Sequence, residues 1–244
     1  MLRLLLFLLY VIVFAVLMIP VFILWIFVRD GANHLVHRIV QAMMKGAAVS
    51  YMWLAGIRPE VKGLENIPEE PALFVSNHTG IFDVGAAYAT VKSPTAFIGK
   101  IQAKKIPVIG QAMGLMNGLF LDRDNLKQGL QVVLSAIDHV KNGISIWVCP
   151  EGTREKEGTP TDLLPFRAGC FKIAVKTGAP VVPVVIIGSR DLFEAHKPWI
   201  SGGKLKIIYG RPVYTDELPD EAKKHIGEYF RNIMIDMIKE EMQG

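Results

Sequence analysis

The segment Asn77-His78-Thr79-Gly80-Ile81-Phe82-Asp83 holds the residue pair of this 244-residue chain best suited to chemistry, an imidazole and, five positions on, a carboxylate. Residues five apart sit roughly 140° apart around a helix and point to opposite faces of a strand. The two can meet only if the chain turns between them, and Thr79-Gly80 is a turn signal. A strand-like apolar run over 72–76 leads in, and a helix-compatible run over 81–91 leads out. The pair is therefore expected on a strand-to-helix loop, where α/β proteins keep their chemistry. A carboxylate on one ring nitrogen fixes the tautomer and raises the basicity of the other. That is the base half of a catalytic triad, with no Ser or Cys nucleophile beside it. Taken alone the spacing is a weak signal, since a surface turn with a capping Asp produces it too, and more often.

Three further blocks change the weighting. Gly118-Leu-Phe-Leu-Asp-Arg123 ends a second apolar run with a charged pair. Cys149-Pro-Glu-Gly-Thr-Arg154 ends a third with Pro, a carboxylate, Gly and Arg, and Ala179-Pro-Val-Val-Pro-Val-Val-Ile186 forms a fourth. In this order and at these separations the blocks resemble the glycerophospholipid acyltransferase family, its bacterial 1-acylglycerol-3-phosphate acyltransferases in particular. The resemblance covers roughly residues 60 to 215. Gly80 stands where many members have Ser, and Cys149 where Phe is usual.

The resemblance implies acyl transfer from a thioester to a hydroxyl. Such transfer needs a base for the hydroxyl proton, donors for the developing oxyanion, and an acceptor aimed at the thioester carbon. A thioester is activated enough to need no protein nucleophile. The implied roles are His78 as the base and Asp83 as the group that orients His78 and stabilises its imidazolium. The implied acceptor carries a phosphate, which guanidinium groups bind in bidentate fashion. Arg123 and Arg154 are assigned to it, with Glu151, Gly152 and Thr153 of the same block as glycerol contacts or loop formers. Lys105, in a basic group with Lys100 and Lys104, is a further candidate phosphate contact. Other readings stay open for two of these: a surface ion pair with Glu155 or Glu157 for Arg154, and a solvated helix face for Lys105.

The function so implied is transfer of a fatty acyl group from acyl-CoA or acyl-carrier protein to the sn-2 hydroxyl of lysophosphatidic acid, giving phosphatidic acid. Glycerol-3-phosphate or another lysophospholipid is the alternative acceptor. A membrane-anchored lipid-binding or transfer protein is the non-enzymatic alternative; it would need no His-Asp pair. A hydrolase is disfavoured by the lack of a Gly-x-Ser-x-Gly elbow. No metal or organic cofactor is implied, and nucleic acid is not an expected partner. His34 and His37 lack the carboxylate cluster of a metal motif.

These residues need a scaffold, and the pattern after Pro59 supplies one. Strands are predicted at 72–76, 95–99, 117–121, 144–148, 181–187 and 204–209, and helices at 81–91, 105–115, 124–141, 168–177 and 219–241. The alternation predicts an α/β fold with a mixed, largely parallel sheet flanked by helices. Pro183 is expected to shape a strand edge.

The N-terminus reads differently. The chain is 51% hydrophobic, with a mean hydropathy of +0.32, and the excess lies in an uncharged run over 4–28. That length suits a membrane helix and exceeds the apolar core of a secretory signal. After Gly31-Ala-Asn33, a second helix to about Leu54 places His34, Arg38, Gln41 and Lys45 on one face and Val36, Val40, Met43, Ala47, Tyr51 and Leu54 on another. Such a helix suits a bilayer surface, and packing on the catalytic domain is its alternative. Residues 1–60 are thus expected to be a two-helix membrane-binding motif and 61–244 the catalytic domain. Arg3, Arg29, Arg38, Lys45 and Arg58 outnumber Asp30 and Glu60 there. Basic flanks after the apolar run favour a catalytic domain on the cytoplasmic side, and the expected location is the cell's inner membrane. Two cysteines, Cys149 and Cys170, give no framework of disulfides.

Overall fold

Short runs of β-branched and aromatic residues, each closed by Gly, Pro or a charge, form the strands of a single sheet. The computed structural model describes residues 2–28, 34–91, 94–106, 109–153 and 159–243, and the side chains of all of these but 2–3, 21–28 and 34–40. In chain order the elements are α1 (Leu2–Val28), α2 (His34–Leu54), β1 (Ile57–Lys62), β2 (Leu73–Ser76), α3 (Phe82–Thr90), β3 (Thr95–Lys100), α4 (Ile109–Leu115), β4 (Leu119–Leu121), α5 (Leu126–Lys141), β5 (Ser145–Val148), α6 (Lys172–Thr177), β6 (Val181–Ile187), α7 (Ser189–Leu192), β7 (Gly203–Tyr209), α8 (Asp220–Lys224) and α9 (Ile226–Gln243). Short 3₁₀ turns occupy Ile101–Lys105, just ahead of the helix expected over 105–115, and Ala168–Phe171, at the start of the helix expected over 168–177.

The strand order is β1-β7-β6-β2-β5-β3-β4. Every pairing is parallel except β6 with β7, so the sheet is mixed and largely parallel, as expected. Strands β2 to β6 point the same way, and the loops after them converge on one sheet edge, where ligands bind in folds of this kind. His78 leaves β2 at the middle of that edge. Its neighbours β5 and β6 deliver Cys149 to Thr153 on one side and Gly188-Ser189 on the other.

Alternation along the strands splits the core between the two faces. Phe74 of β2 packs on the face covered by α1 to α4, against the indole of Trp147 at 5.3 Å between centroids. Leu73 and Val75 pack on the opposite face with α5, α6 and α9. Burying one such side chain stabilises the fold by about 1.5–3 kcal/mol.

Three sequence expectations need correction. Strand β1 was not expected: Pro59 and three charges disguise it, and it pairs with β7 at the sheet edge, where Pro and Lys discourage further pairing. It straddles the expected boundary at 60/61. Pro183 lies on an interior strand, between β7 and β2. The β6–β7 ladder starts only at Val184, and Gly210 steps aside to donate its N–H to the Pro183 carbonyl at 2.8 Å. The missing N–H of Pro183 therefore faces a break in the ladder. Finally, Lys45, expected on the basic face of a helix at a bilayer surface, lies on the side of α2 that meets α3. Its ammonium donates to Val91 O at 3.2 Å, at the C-terminal end of α3.

Helices α1 and α2 pack antiparallel. Tyr10 Oη donates to Ala47 O at 3.0 Å, and Phe7 meets Tyr51 edge-on. Met18, Ala48 and Met52 are buried, whereas Leu8, Ile12, Val16, Val49 and Trp53 are exposed. Among the described residues, no helix is long and apolar enough to cross a membrane.

Candidate active site

Asn77 anchors the loop after β2. Its side chain is buried and pairs with Ile186 of β6 as a strand residue would: Nδ2 donates to Ile186 O at 2.9 Å, and Oδ1 accepts from Ile186 N at 2.8 Å. On the other side, His78 donates its main-chain N–H to Glu151 Oε1 at 3.0 Å. The loop is thus tied to both neighbours of β2 before it turns.

The turn at Thr79-Gly80 then brings Asp83, in the first turn of α3, back under the imidazole. His78 Nδ1 lies 2.7 Å from Asp83 Oδ2. The same oxygen accepts the N–H groups of Thr79 at 2.8 Å and Gly80 at 2.9 Å. A carboxylate oxygen that accepts from three donors is fixed in place, and its contact with Nδ1 assigns the His78 proton to that nitrogen, leaving the Nε2 lone pair for chemistry. The His78 side chain keeps 21% of its surface exposed against 3% for Asp83. Nε2 chemistry is therefore reachable from outside, while the orienting carboxylate is not.

Glu151 is buried, and its two oxygens do separate work. Oε1 holds His78, and Oε2 accepts from Leu164 N at 2.9 Å. Arg231 of α9 grips the adjoining Leu163 carbonyl with Nε at 2.8 Å and Nη2 at 2.6 Å. Gly152 follows at φ +75°, a left-handed conformation. A Cβ there would stand 3.2 Å from Arg167 Nε and 3.7 Å from Arg123 Nε. Arg123 is half-buried, and its Nε is buried with no hydrogen-bond partner among the described residues. Burial, and then the neighbouring Arg167, push its guanidinium below the usual arginine range.

Of the residues singled out from sequence, His78, Asp83, Glu151, Gly152 and Arg123 meet in one site. Thr153 is exposed at its rim. Lys105 is exposed in the 3₁₀ turn after β3, and no contact among the described residues ties it to the pair. Arg154 lies outside the described residues, as do the side chains of His34 and His37. His139 is partly buried and bonds Asn117 O through Nε2 at 3.0 Å. Cys149 Sγ lies 3.4 Å from Ser76 Oγ, which also accepts from Trp147 Nε1 at 2.8 Å. Burial pushes the Cys149 thiol up to about 12, which disfavours the thiolate that a nucleophile needs.

This geometry agrees with the comparisons. The sequence model of the acyltransferase family matches residues 58–187. The chain belongs to that family. It is 36% identical over 177 residues to the chloroplastic 1-acyl-sn-glycerol-3-phosphate acyltransferase BAT2 of Brassica napus, a match covering 70% of this chain and 50% of that protein. With the 1-acyl-sn-glycerol-3-phosphate acyltransferase of Escherichia coli K12 it shares 28% identity over 170 residues, 69% of this chain and 67% of that one. The chain spans about half the length of the first two curated relatives it matches. The crystal structure of the 1-acyl-sn-glycerophosphate acyltransferase PlsC from Thermotoga maritima superposes with a TM-score of 0.81 at 26% identity, covering 98% of this chain and 94% of that one.

Several residues around this site escaped the sequence reading. Asn77 stood beside His78, yet nothing local says that its amide will dock on β6. Glu194 accepts the Ile81 N–H at 2.8 Å from more than a hundred residues away. Ser189 fills the space above Gly80, where an added Cβ would land on its hydroxyl. The vacancy was legible as a Gly where the family often has Ser, but its occupant was not. Tyr51 of α2 lays its hydroxyl over Gly85, two residues past Asp83. Arg167 sits in a run with no charge pattern to mark it.

Proposed function

We propose that this chain transfers a fatty acyl group from acyl-CoA or acyl-carrier protein to the sn-2 hydroxyl of lysophosphatidic acid, forming phosphatidic acid. The observation that carries the reading is the 2.7 Å contact between His78 Nδ1 and Asp83 Oδ2, on an imidazole side chain that stays partly exposed. In this scheme Nε2 takes the acceptor hydroxyl proton as the oxygen attacks the thioester carbonyl carbon. The tetrahedral intermediate collapses, the carbon–sulfur bond breaks, and the imidazolium returns its proton to the leaving thiolate. Asp83 stabilises the imidazolium between the two steps. Arg123, with Arg154, takes the acceptor phosphate, and Glu151 and Gly152 shape the loop that presents it. The names of the relatives support lysophosphatidic acid over other acceptors.

The proposed setting is the cytoplasmic face of the inner membrane. The exposed apolar side chains of α1, with Val49 and Trp53 of α2, support embedding of the N-terminal helices in one leaflet. A lysophospholipid would then reach His78 by sliding laterally. A Cys at position 2, probed with impermeant thiol reagents on sealed vesicles of both orientations, tests this. Labelling from the side opposite the catalytic domain would replace it with a spanning helix.

The function itself is tested by thiol release from several acyl-CoAs, with and without lysophosphatidic acid, in detergent micelles. Release should depend on the acceptor and fall on the order of 10²–10⁴-fold in His78→Ala. Near-normal turnover in the purified variant would overturn the mechanism. Lipid binding without thiol release would point to a transfer protein instead.

A further inference from the structure

We infer that Arg167 is a phosphate-binding residue of this site, forming with Arg123 a two-guanidinium clamp across Gly152 for the acceptor's phosphate monoester. The inference rests on the proposed acceptor and adds a residue to it.

Three observations carry it. First, Arg167 and Arg123 converge on one point from different elements. Arg123 follows β4, while Arg167 precedes the 3₁₀ turn at Ala168–Phe171. Their Nε atoms stand 3.2 Å and 3.7 Å from the position a Gly152 Cβ would take, so the two nitrogens are no further apart than the sum of those distances. Gly152 leaves that space open, and its positive φ suits glycine best.

Second, Arg123 Nε is buried with no hydrogen-bond partner among the described residues. A buried donor left unpaired is costly. Two cations brought together raise that cost, and an anion between them removes it. A phosphate monoester supplies up to two charges and three oxygens, which suits two planar forks better than a single carboxylate would.

Third, Arg167 is held in register with the catalytic loop. Its main-chain N–H donates to Pro150 O at 3.1 Å, in the turn that carries Glu151. Glu151 in turn holds the His78 N–H. The residue is exposed as a whole, so its guanidinium is reachable by a ligand. A free surface arginine would need no such anchoring.

The test compares Arg167→Gln, Arg167→Lys and Arg123→Gln with the full-length wild type in micelles. Arg167→Gln should raise KM for lysophosphatidic acid about ten- to hundredfold, the range for one charge-assisted hydrogen bond. KM for acyl-CoA and the thermal midpoint should stay unchanged. Arg167→Lys should recover only part of the loss, since ammonium makes no planar bidentate contact. Calorimetric titration with glycerol-3-phosphate reads the anion site independently of acyl transfer, and Arg167→Gln should weaken that binding by a similar factor. An Arg167→Gln KM for lysophosphatidic acid within twofold of wild type, or equal shifts for both substrates, overturns the assignment. If Arg123→Gln shifts and Arg167→Gln does not, Arg167 alone is removed from the site. If wild type releases no thiol in the presence of lysophosphatidic acid, the proposed acceptor fails. The titration then still decides whether Arg167 binds a phosphate monoester.

Discussion

Glu151 bridges two segments that the sequence places far apart, accepting the main-chain N–H of His78 on Oε1 and that of Leu164 on Oε2. The carboxylate is buried and held by backbone donors, so its first duty is to hold the His78 loop against the segment that Arg231 secures. Glu151→Gln replaces one acceptor oxygen with an NH₂ group that faces an N–H. We expect a stability loss of about 1–3 kcal/mol, read as a lower thermal midpoint, and a fall in kcat with little change in KM for acyl-CoA. A raised KM for lysophosphatidic acid with an unchanged midpoint would instead make Glu151 a direct substrate contact.

Asp83→Asn isolates the charge from the geometry. Oδ2 accepts from His78 and from the N–H groups of Thr79 and Gly80. An amide can keep these bonds only by turning its oxygen to Oδ2, and it then offers no charge to the imidazolium. Turnover should fall on the order of 10⁴-fold, as expected when a triad carboxylate loses its charge, while lipid binding in vesicle co-sedimentation is retained. A loss of less than tenfold would show that Asp83 serves the loop and not the base.

The Tyr51 hydroxyl of α2 rests over Gly85 of α3, and the Tyr51, Phe7 and Phe82 rings pack together. Burial, with Asp83 as the second contributor, raises the Tyr51 pKa, so the phenol stays neutral at working pH. Gly85→Ala would put a methyl where the hydroxyl lies. It should cost about 1–3 kcal/mol through overpacking and loosen α1 and α2 from the catalytic domain. A Tyr51→Ala background should absorb most of that cost, which a double-mutant cycle of thermal midpoints measures. Additive losses would show that the two residues do not share the space.

What could be read in the sequence was what is local. The strand-turn-helix around His78 announced itself through an apolar run, Thr79-Gly80 and a helix-compatible stretch, and the structure closes that turn. The interior strands β2, β5 and β6 are near-continuous apolar runs, as strands buried on both faces must be. β1 was invisible because most of its residues stay exposed, and Arg58, Pro59 and Glu60 break its pattern. Lys45 misled for a related reason. Periodicity placed it on a polar face without saying that the face meets the Val91 carbonyl. Asn77, Ser189, Glu194 and Arg167 act through contacts set by topology, and no spacing rule spans such separations.

Cys149 offers a test of whether any protein nucleophile takes part. It stands at the end of β5, its sulfur 3.4 Å from the Ser76 hydroxyl, close enough to the site to suggest an acyl-enzyme. Burial pushes its pKa up to about 12, and a thiol needs its thiolate to attack. Four to five pH units below that value the thiolate fraction is negligible, so iodoacetamide at pH 7–8 should leave native Cys149 unmodified and label it only after unfolding. The same holds for Cys170, likewise pushed up to about 12 by burial. Cys149→Ala should then retain turnover within a few-fold, with no acyl group trapped on protein after a burst with acyl-CoA. A trapped thioester at Cys149, or turnover lost in Cys149→Ala while the thermal midpoint holds, would replace direct transfer by a covalent route.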